Sequence, residues 1–162
     1  AGRVVGRGRP LTRGRMLVFK EALRESGLNY CEDLMFDGDF TLQSGFDAAD
    51  RILSQTHPVS AIFCENDEMA LGAISRLKAA GLRIPEDISV TGFDNIAFSN
   101  FSDPPLTTIA QPAEEFGETA INLLIDFLKG KAKRAVKVIL PYQLIIRNST
   151  GPAPAQPVNP TQ

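Results

Sequence analysis

The sequence predicts an α/β fold built on a parallel sheet with flanking helices, and three stretches carry that expectation. "VSAIFC" (59–64) is a continuous apolar run of strand length, the pattern of a strand covered on both faces. "EMALGAISRLKAAG" follows with apolar residues at helical spacing, and "ISV" (88–90) adds a second short apolar run. Strand, helix and strand fit within the usual length of a right-handed βαβ unit.

The remaining elements can be read in order. "LTRGRMLVFKEALRESGL" (11–28) reads as a helix with Met16, Phe19, Ala22 and Leu23 at helical spacing, Thr12 as N-cap and Gly27 as stop. A short strand is expected around Leu34 to Phe36. "TLQSGFDAADRILSQ" (41–55) is a second amphipathic helix, with Leu42, Phe46, Ala49 and Leu53 on its apolar face. Beyond the run at 59–64, Asn66 and Asp67 are each placed to cap the next helix. Its apolar positions are Met69, Leu71, Ile74 and Leu77, and Gly81 ends it.

After residue 104 the rhythm changes. "PPLTTIAQP" (104–112) is extended between prolines, because a residue that precedes proline avoids the helical region. "AEEFGETAINLLIDFLKG" (113–130) is a strong helix with Phe116, Ala120, Leu123, Leu124 and Phe127 on its apolar side. "VKVILPYQLIIR" (136–147) reads as one or two strands interrupted by Pro141. Four prolines in the last twelve residues predict a disordered tail over 151–162.

Composition bounds the function. A chain of 162 residues corresponds to about one domain, and 43% hydrophobic residues suffice for a packed core. A formal net charge of −2 gives no reason to expect nucleic-acid binding by this chain. The apolar runs are far shorter than a membrane span, and no signal peptide is visible. Ala1 is not an initiator methionine, so a processing boundary is expected at the start. Cys31 and Cys64 suggest no disulfide framework and fit a reducing compartment, with Cys64 as a small buried hydrophobe.

In an open parallel sheet, ligands bind beyond the carboxyl ends of the strands. Asn66-Asp67 follows one such end, and Asp94-Asn95 follows the other in "ISVTGFDN" (88–95). Their side chains suit sugar hydroxyls or base edges, and they equally suit helix caps and turns. Asp67 reads as a cap. Asp94 reads as a ligand-facing carboxylate, since no clear helix follows for it to cap. Arg13 and Arg15 are placed in a first helical turn, where the macrodipole disfavours cations. Solvation accounts for most such arginines; the functional alternative has Arg15 forking onto a polar ligand.

Catalysis finds little support. His57 is the sole histidine, no serine stands in a nucleophile elbow, and Cys64 lies within an apolar strand. One histidine and two separated cysteines predict no metal site, and no cofactor is expected. "GRVVGRG" contains G-x-G but follows no visible strand and does not complete a dinucleotide fingerprint. The first twenty residues hold five arginines, one lysine and no acid, read as solvated loop ahead of a phosphate-gripping arm.

These motifs together resemble a family. "AIFCENDEMALGAISRLKAAGLRIPEDISVTGFDNIAFSNFSDPPLTTIAQP", preceded by "RGRMLVFKEAL" and "GDFTLQSGFDAA" and followed by "LPYQLIIRNSTGP", resembles the effector-binding core of the lactose-repressor/galactose-repressor family of bacterial transcription regulators. The resemblance runs from about residue 10 to 152, and "GFDNIAFSNFSDPPLTTIAQP" is most similar to the cytidine-repressor branch.

The resemblance implies a type I periplasmic-binding-protein-like core of two lobes, with the effector between them. Residues 1–110 would form the C-terminal lobe, 111–135 a helix returning to the N-terminal lobe, and 136–150 strands returning to the first. The chain is then expected to be a fragment, reaching operator DNA only through an N-terminal headpiece it does not include. Arg15 would fork onto the effector, Phe40 would stack over its ring, and Asn66 and Asp94 would hydrogen-bond it. Leu71, Ile74, Phe101 and Leu106 would lie on a homodimer surface. Val18 departs from the family pattern, which has glycine before the aromatic at 19.

The function implied is the effector-binding and dimerisation portion of a cytoplasmic repressor that senses a sugar or nucleoside, with no enzymatic activity and no membrane partner. The competing reading is a periplasmic sugar-binding transport component of the same fold, which an upstream signal peptide would favour.

Overall fold

The computed structural model describes residues 2–6, 10–131, 134 and 136–155, with backbone alone up to residue 13. Its elements are β1 (Gly2–Gly6), α1 (Pro10–Glu25), β2 (Met35–Gly38), α2 (Leu42–Leu53), β3 (Ala61–Cys64), α3 (Asp67–Ala79), β4 (Ser89–Thr91), β5 (Thr108–Ala110), α4 (Ala113–Leu128) and β6 (Gln143–Ile145). Short 3-10 turns lie at Glu32–Leu34 and Ala97–Asn100. The predicted strand–helix–strand unit is β3-α3-β4, with Ile62 parallel to and opposite Val90.

The four-stranded sheet has the order β2-β1-β3-β4, all parallel. β1 is therefore an interior strand, with Val4 opposite both Phe36 and Cys64. This stretch, expected as solvated loop, is instead a paired strand. Its two valines are too few to display a period, and pairing on both sides makes it a strand. The G-x-G thus does follow a strand; residues 7–9, with Arg7 and Arg9, lie outside the described residues.

α1 begins at Pro10, two residues before the expected cap at Thr12, and proline suits that first position because it has no N–H to leave unpaired. Arg15 consequently stands in the second turn, and the side chains of Thr12 and Arg13 lie outside the described residues. Gly27 ends the helix with a φ of 70°, the left-handed region that glycine enters freely.

Right-handed crossovers put α1 on one face of the sheet and α2 with α3 on the other. The alternation along β3 agrees: Ile62 and Cys64 are buried in the main core, while Phe63 stacks on Phe19 of α1 at 5.8 Å between ring centroids. That core joins Phe36, Ile52, Ile62, Met69, Leu77, Val90 and Leu106, all essentially inaccessible to solvent.

α2 turns a different face inward from the one predicted. Gly45, Ala48, Ala49 and Ile52 are buried, whereas Leu42 is 50% exposed and Phe46 and Leu53 are only half-buried. The cause is a close crossing with α3. A Cβ on Gly45 would sit 2.0 Å from the Met69 carbonyl oxygen, and one on Gly72 would sit 1.9 Å from that of Leu42. Small residues carry this contact, so the bulky ones move to its rim.

A buried carboxylate fastens the loops that follow β4. Asp67, the first residue of α3, is fully buried, and Asn66 rather than Asp67 is the cap, accepting from the Met69 N–H at 3.0 Å. The Asp67 carboxylate accepts from the Ile96 N–H at 2.9 Å and from the hydroxyls of Ser99 and Thr108. Its own N–H donates to the Phe93 carbonyl at 2.8 Å. Gly92 has no room for a side chain, because a Cβ there would lie 2.2 Å from Asp67 Oδ1.

β5 and β6 pair antiparallel, Thr108 opposite Ile145. Beyond β6, buried Ser149 ties this strand pair to the main sheet: its hydroxyl donates to the Val90 carbonyl at 2.6 Å and accepts from the Thr107 N–H at 2.8 Å. Gly151 still packs on Pro85 and bonds the Ser89 hydroxyl at 3.1 Å, and residues 156–162 of the predicted tail lie outside the described residues.

α4 is the outlier. None of its residues is buried, and Phe116, Leu124 and Phe127 are 67%, 52% and 62% exposed. Full burial of such a side chain is worth about 1.5–3 kcal/mol, so this helix lacks the stabilisation that holds α3. Amide exchange in the isolated chain is therefore expected to be faster over 113–128 than over 67–79. Equal, slow protection in both helices of a monomer would refute that ordering.

The Asp67 network gives a second prediction. A hydrogen bond to a charged group contributes about 1.5–3 kcal/mol, and losing this acceptor leaves buried donors unpaired. Asp67→Ala should lower unfolding free energy by about 3 kcal/mol or more in urea titration. A loss below about 1 kcal/mol would mean that the carboxylate is dispensable.

Candidate functional site

Topology marks where a ligand would bind. From β1 the chain crosses to β2 on one side, and from β3 it crosses to β4 on the other, so the switch point lies beyond the carboxyl ends of β1 and β3. Arg15 reaches that point from α1. Its guanidinium donates to the Glu65 carbonyl at 2.8 Å and lies over the Phe93 ring at 3.8 Å from the centroid. The carbonyl bond fixes the side chain, and the ring beneath fixes its plane.

A cleft of about 640 Å³ opens above this pair, bounded on its far side by Gln111, Phe116, Pro141 and Tyr142. Its walls combine aromatic faces with a few polar groups, the usual make-up of a small-molecule site. Asp94 stands behind Gln111, whose side-chain amide donates to it at 2.6 Å. Partial burial is the main influence on this carboxyl and pushes its pKa above the ordinary aspartate value. The Gln111 hydrogen bond and the Arg15 charge oppose that shift, while the Asp67 and Glu68 charges add to it.

Backbone strain gathers at the same rim. Among the described residues, the non-glycine positions with left-handed backbone are Phe40 (φ 70°), Asp94 (φ 111°) and Asn95 (φ 54°). They follow β2 and β4 at the carboxyl edge of the sheet. Each such residue costs of order 1 kcal/mol, and strain of this kind clusters at functional sites.

The four residues expected to meet the effector have distinct surroundings. Arg15 lines the cleft directly. Asp94 lies next to it through Gln111. Phe40 is half-buried against the core, and its carbonyl accepts from the Asn66 side-chain amide at 2.9 Å. Asn66 is 8% exposed and spends its oxygen and one N–H on the helix cap and the Phe40 strap, leaving one N–H for a ligand. Neither Phe40 nor Asn66 bounds the cleft described above. Sequence reasoning missed Phe93, Gln111 and Tyr142; the first two carried a signal, standing within "GFDN" and as the lone polar residue between β5 and a proline.

The predicted dimer surface needs correction. Leu106 is wholly buried and Ile74 is 4% exposed, so both belong to the chain's own core and cannot face a partner. Leu71 is half-buried, and Phe101 is 80% exposed beside Phe98 at 73%. That surface is what the resemblance implies position by position, and position alone does not say whether a side chain packs inward. Both cysteines are free thiols; Cys64 is buried, and that burial raises its pKa far above the usual range.

Comparison with known proteins places the chain in a family. The model of the periplasmic binding protein-like domain matches residues 3–150. The chain is 43% identical over 145 residues to the HTH-type transcriptional repressor CytR of Escherichia coli strain K12, covering 90% of this chain and 42% of that one. It is 39% identical over 141 residues to the repressor PurR of Salmonella newport, covering 87% and 41%. The chain thus spans less than half the length of those repressors. Among solved structures, the regulator CelR in complex with cellobiose superposes with a TM-score of 0.87 at 34% identity, covering 91% of this chain and 46% of that one. A LacI family regulator from Enterococcus faecium with bound ribose gives 0.84 at 33%, covering 93% and 56%. The chain belongs to the periplasmic binding protein-like domain family, and its relatives within that family are transcriptional repressors and LacI family regulators.

Proposed function

We propose that this chain is the effector-binding portion of a bacterial ligand-responsive transcriptional regulator, a repressor that senses a sugar or nucleoside. The observation that carries the proposal is the cleft at the switch point, with Arg15 clamped on Phe93 and Asp94 behind Gln111. An arginine fork and a carboxylate bind hydroxyls, and the aromatic walls suit the apolar face of a sugar or base. Relatives that are repressors, 43% and 39% identical, support a regulator over a transport component. In this reading the protein acts in the cytoplasm without enzymatic activity and reaches DNA through a headpiece outside this chain.

The domain reading follows the same line. Residues 1–110 form the C-terminal lobe, 111–135 a helix that packs in a second lobe, and 136–150 the return. The wholly unburied α4 supports this, as does Ser149, which fastens the returning segment to the sheet. The assembly is a homodimer, and after the loss of Ile74 and Leu106 from the contact surface it centres on Leu71 and Phe101.

Two outcomes check the reading in the full-length protein. Asp94→Ala should weaken binding of the cognate sugar or nucleoside by about 1.5–3 kcal/mol, roughly tenfold to over a hundredfold, by calorimetry. Asp94→Asn should also weaken binding without loss of stability. An aspartate whose folded pKa is raised stabilises the fold below its unfolded pKa and loses that contribution as pH climbs through the raised value, so the carboxylate gives no stability at neutral pH. Unchanged affinity in a folded Asp94→Ala protein would remove Asp94 from the site. For assembly, Phe101→Arg is expected to give monomers in sedimentation velocity, and a parent protein that is already monomeric at micromolar concentration would exclude the dimer.

A further inference from the structure

We propose that Cys31, Asp33 and His57 form a binding site for a zinc-class divalent metal ion at the amino-terminal end of the sheet, away from the effector cleft. The thiol sulfur, a carboxylate oxygen and an imidazole nitrogen of these residues all lie within 4.8 Å of one another. Ligand bonds of about 2.0–2.3 Å in a tetrahedral zinc site place ligand atoms about 3.3–3.8 Å apart, so rotamer adjustment of about 1 Å closes the set.

The fold explains why residues so distant in sequence converge. Cys31 and Asp33 lie just before β2, and His57 lies just before β3. β2 and β3 flank β1 in the same parallel direction, so their amino ends stand on one edge. The backbone that carries the ligands is anchored. Leu34, next to Asp33, and Val59, two residues after His57, are buried in the core, Cys31 packs against that core, and the Leu34 N–H bonds the Cys31 carbonyl at 3.3 Å. Asp33 and His57 are exposed, which leaves an ion a path from solvent and a fourth position for water.

The donor set selects the ion. Thiolate and imidazole are soft to borderline ligands that favour zinc over magnesium or calcium, which take oxygen. A thiolate, a carboxylate and a neutral imidazole together carry two negative charges, and these balance a divalent cation. The other cysteine cannot substitute, because Cys64 is buried within β3.

The test uses the 162-residue chain without an affinity tag, titrated with cobalt(II) as a spectroscopic probe and with zinc by calorimetry. The expected result is one ion per chain, with a thiolate-to-cobalt charge-transfer band that zinc displaces. His57→Ala and Asp33→Asn, both at exposed positions where the fold tolerates change, should each weaken zinc binding by more than about tenfold, the smallest loss that even an outer-shell change produces. Cys31→Ser should abolish the charge-transfer band, while Cys64→Ala should keep it. Absence of binding by the parent chain would overturn the site. So would a charge-transfer band that survives Cys31→Ser, or zinc affinity unchanged in His57→Ala and Asp33→Asn.

Discussion

The Asp67 carboxylate is the constraint on which the candidate site depends. One buried side chain at the start of α3 holds the Ile96 N–H, the Ser99 hydroxyl and the Thr108 hydroxyl, while its backbone N–H holds the Phe93 carbonyl. These bonds converge from β5, from the turn at 97–100 and from the loop after β4. A buried carboxylate is costly unless its lone pairs are satisfied, and here the protein satisfies them with the segments whose positions matter most. Phe93, on which Arg15 rests, is set in place by a residue that is itself closed off from solvent.

The loop after β4 shows a trade between stability and readiness. Left-handed backbone at Asp94 and Asn95 is unfavourable, and partial burial disfavours the Asp94 charge. Both costs are met by contacts around them: Asp94 N–H bonds Ile109, Gln111 bonds its carboxylate, and Arg147 bonds the Asn95 side chain at 2.8 Å. The loop is held in a conformation it would not choose alone, which is what a preorganised binding loop requires.

Much of the fold was legible because long apolar periods leave little freedom: β3, α3 and β4 follow from Ile62, Met69, Leu77 and Val90. β1 was not legible, since its strand character comes from neighbours on both sides and not from its two valines. The face of α2 was misread because Gly45 and Gly72 let two backbones approach, and hydrophobic spacing cannot weigh a glycine. At the site, Asp94 was visible as a carboxylate that ends an apolar strand with no helix to cap, whereas Arg15, expected in a first turn, stands in the second turn of α1. Tyr142 was not visible, because its nearness to Arg15 depends on the antiparallel pairing of β5 with β6, segments some thirty residues apart. The same blindness to distance hid the closeness of Cys31 to His57.

The Ser149 clasp has a consequence for biosynthesis. Val90 at the sheet edge exchanges backbone and hydroxyl bonds with a residue 59 positions later, and Thr107 with one 42 positions later. A ribosome releases the amino-terminal strands well before Ser149 emerges, so β4 stays unsealed through that interval. An unpaired strand edge is a template for mispairing with other chains. Nascent molecules are therefore most vulnerable to aggregation in the time between synthesis of β4 and synthesis of residue 149, and slow translation of the intervening stretch would lengthen that exposure.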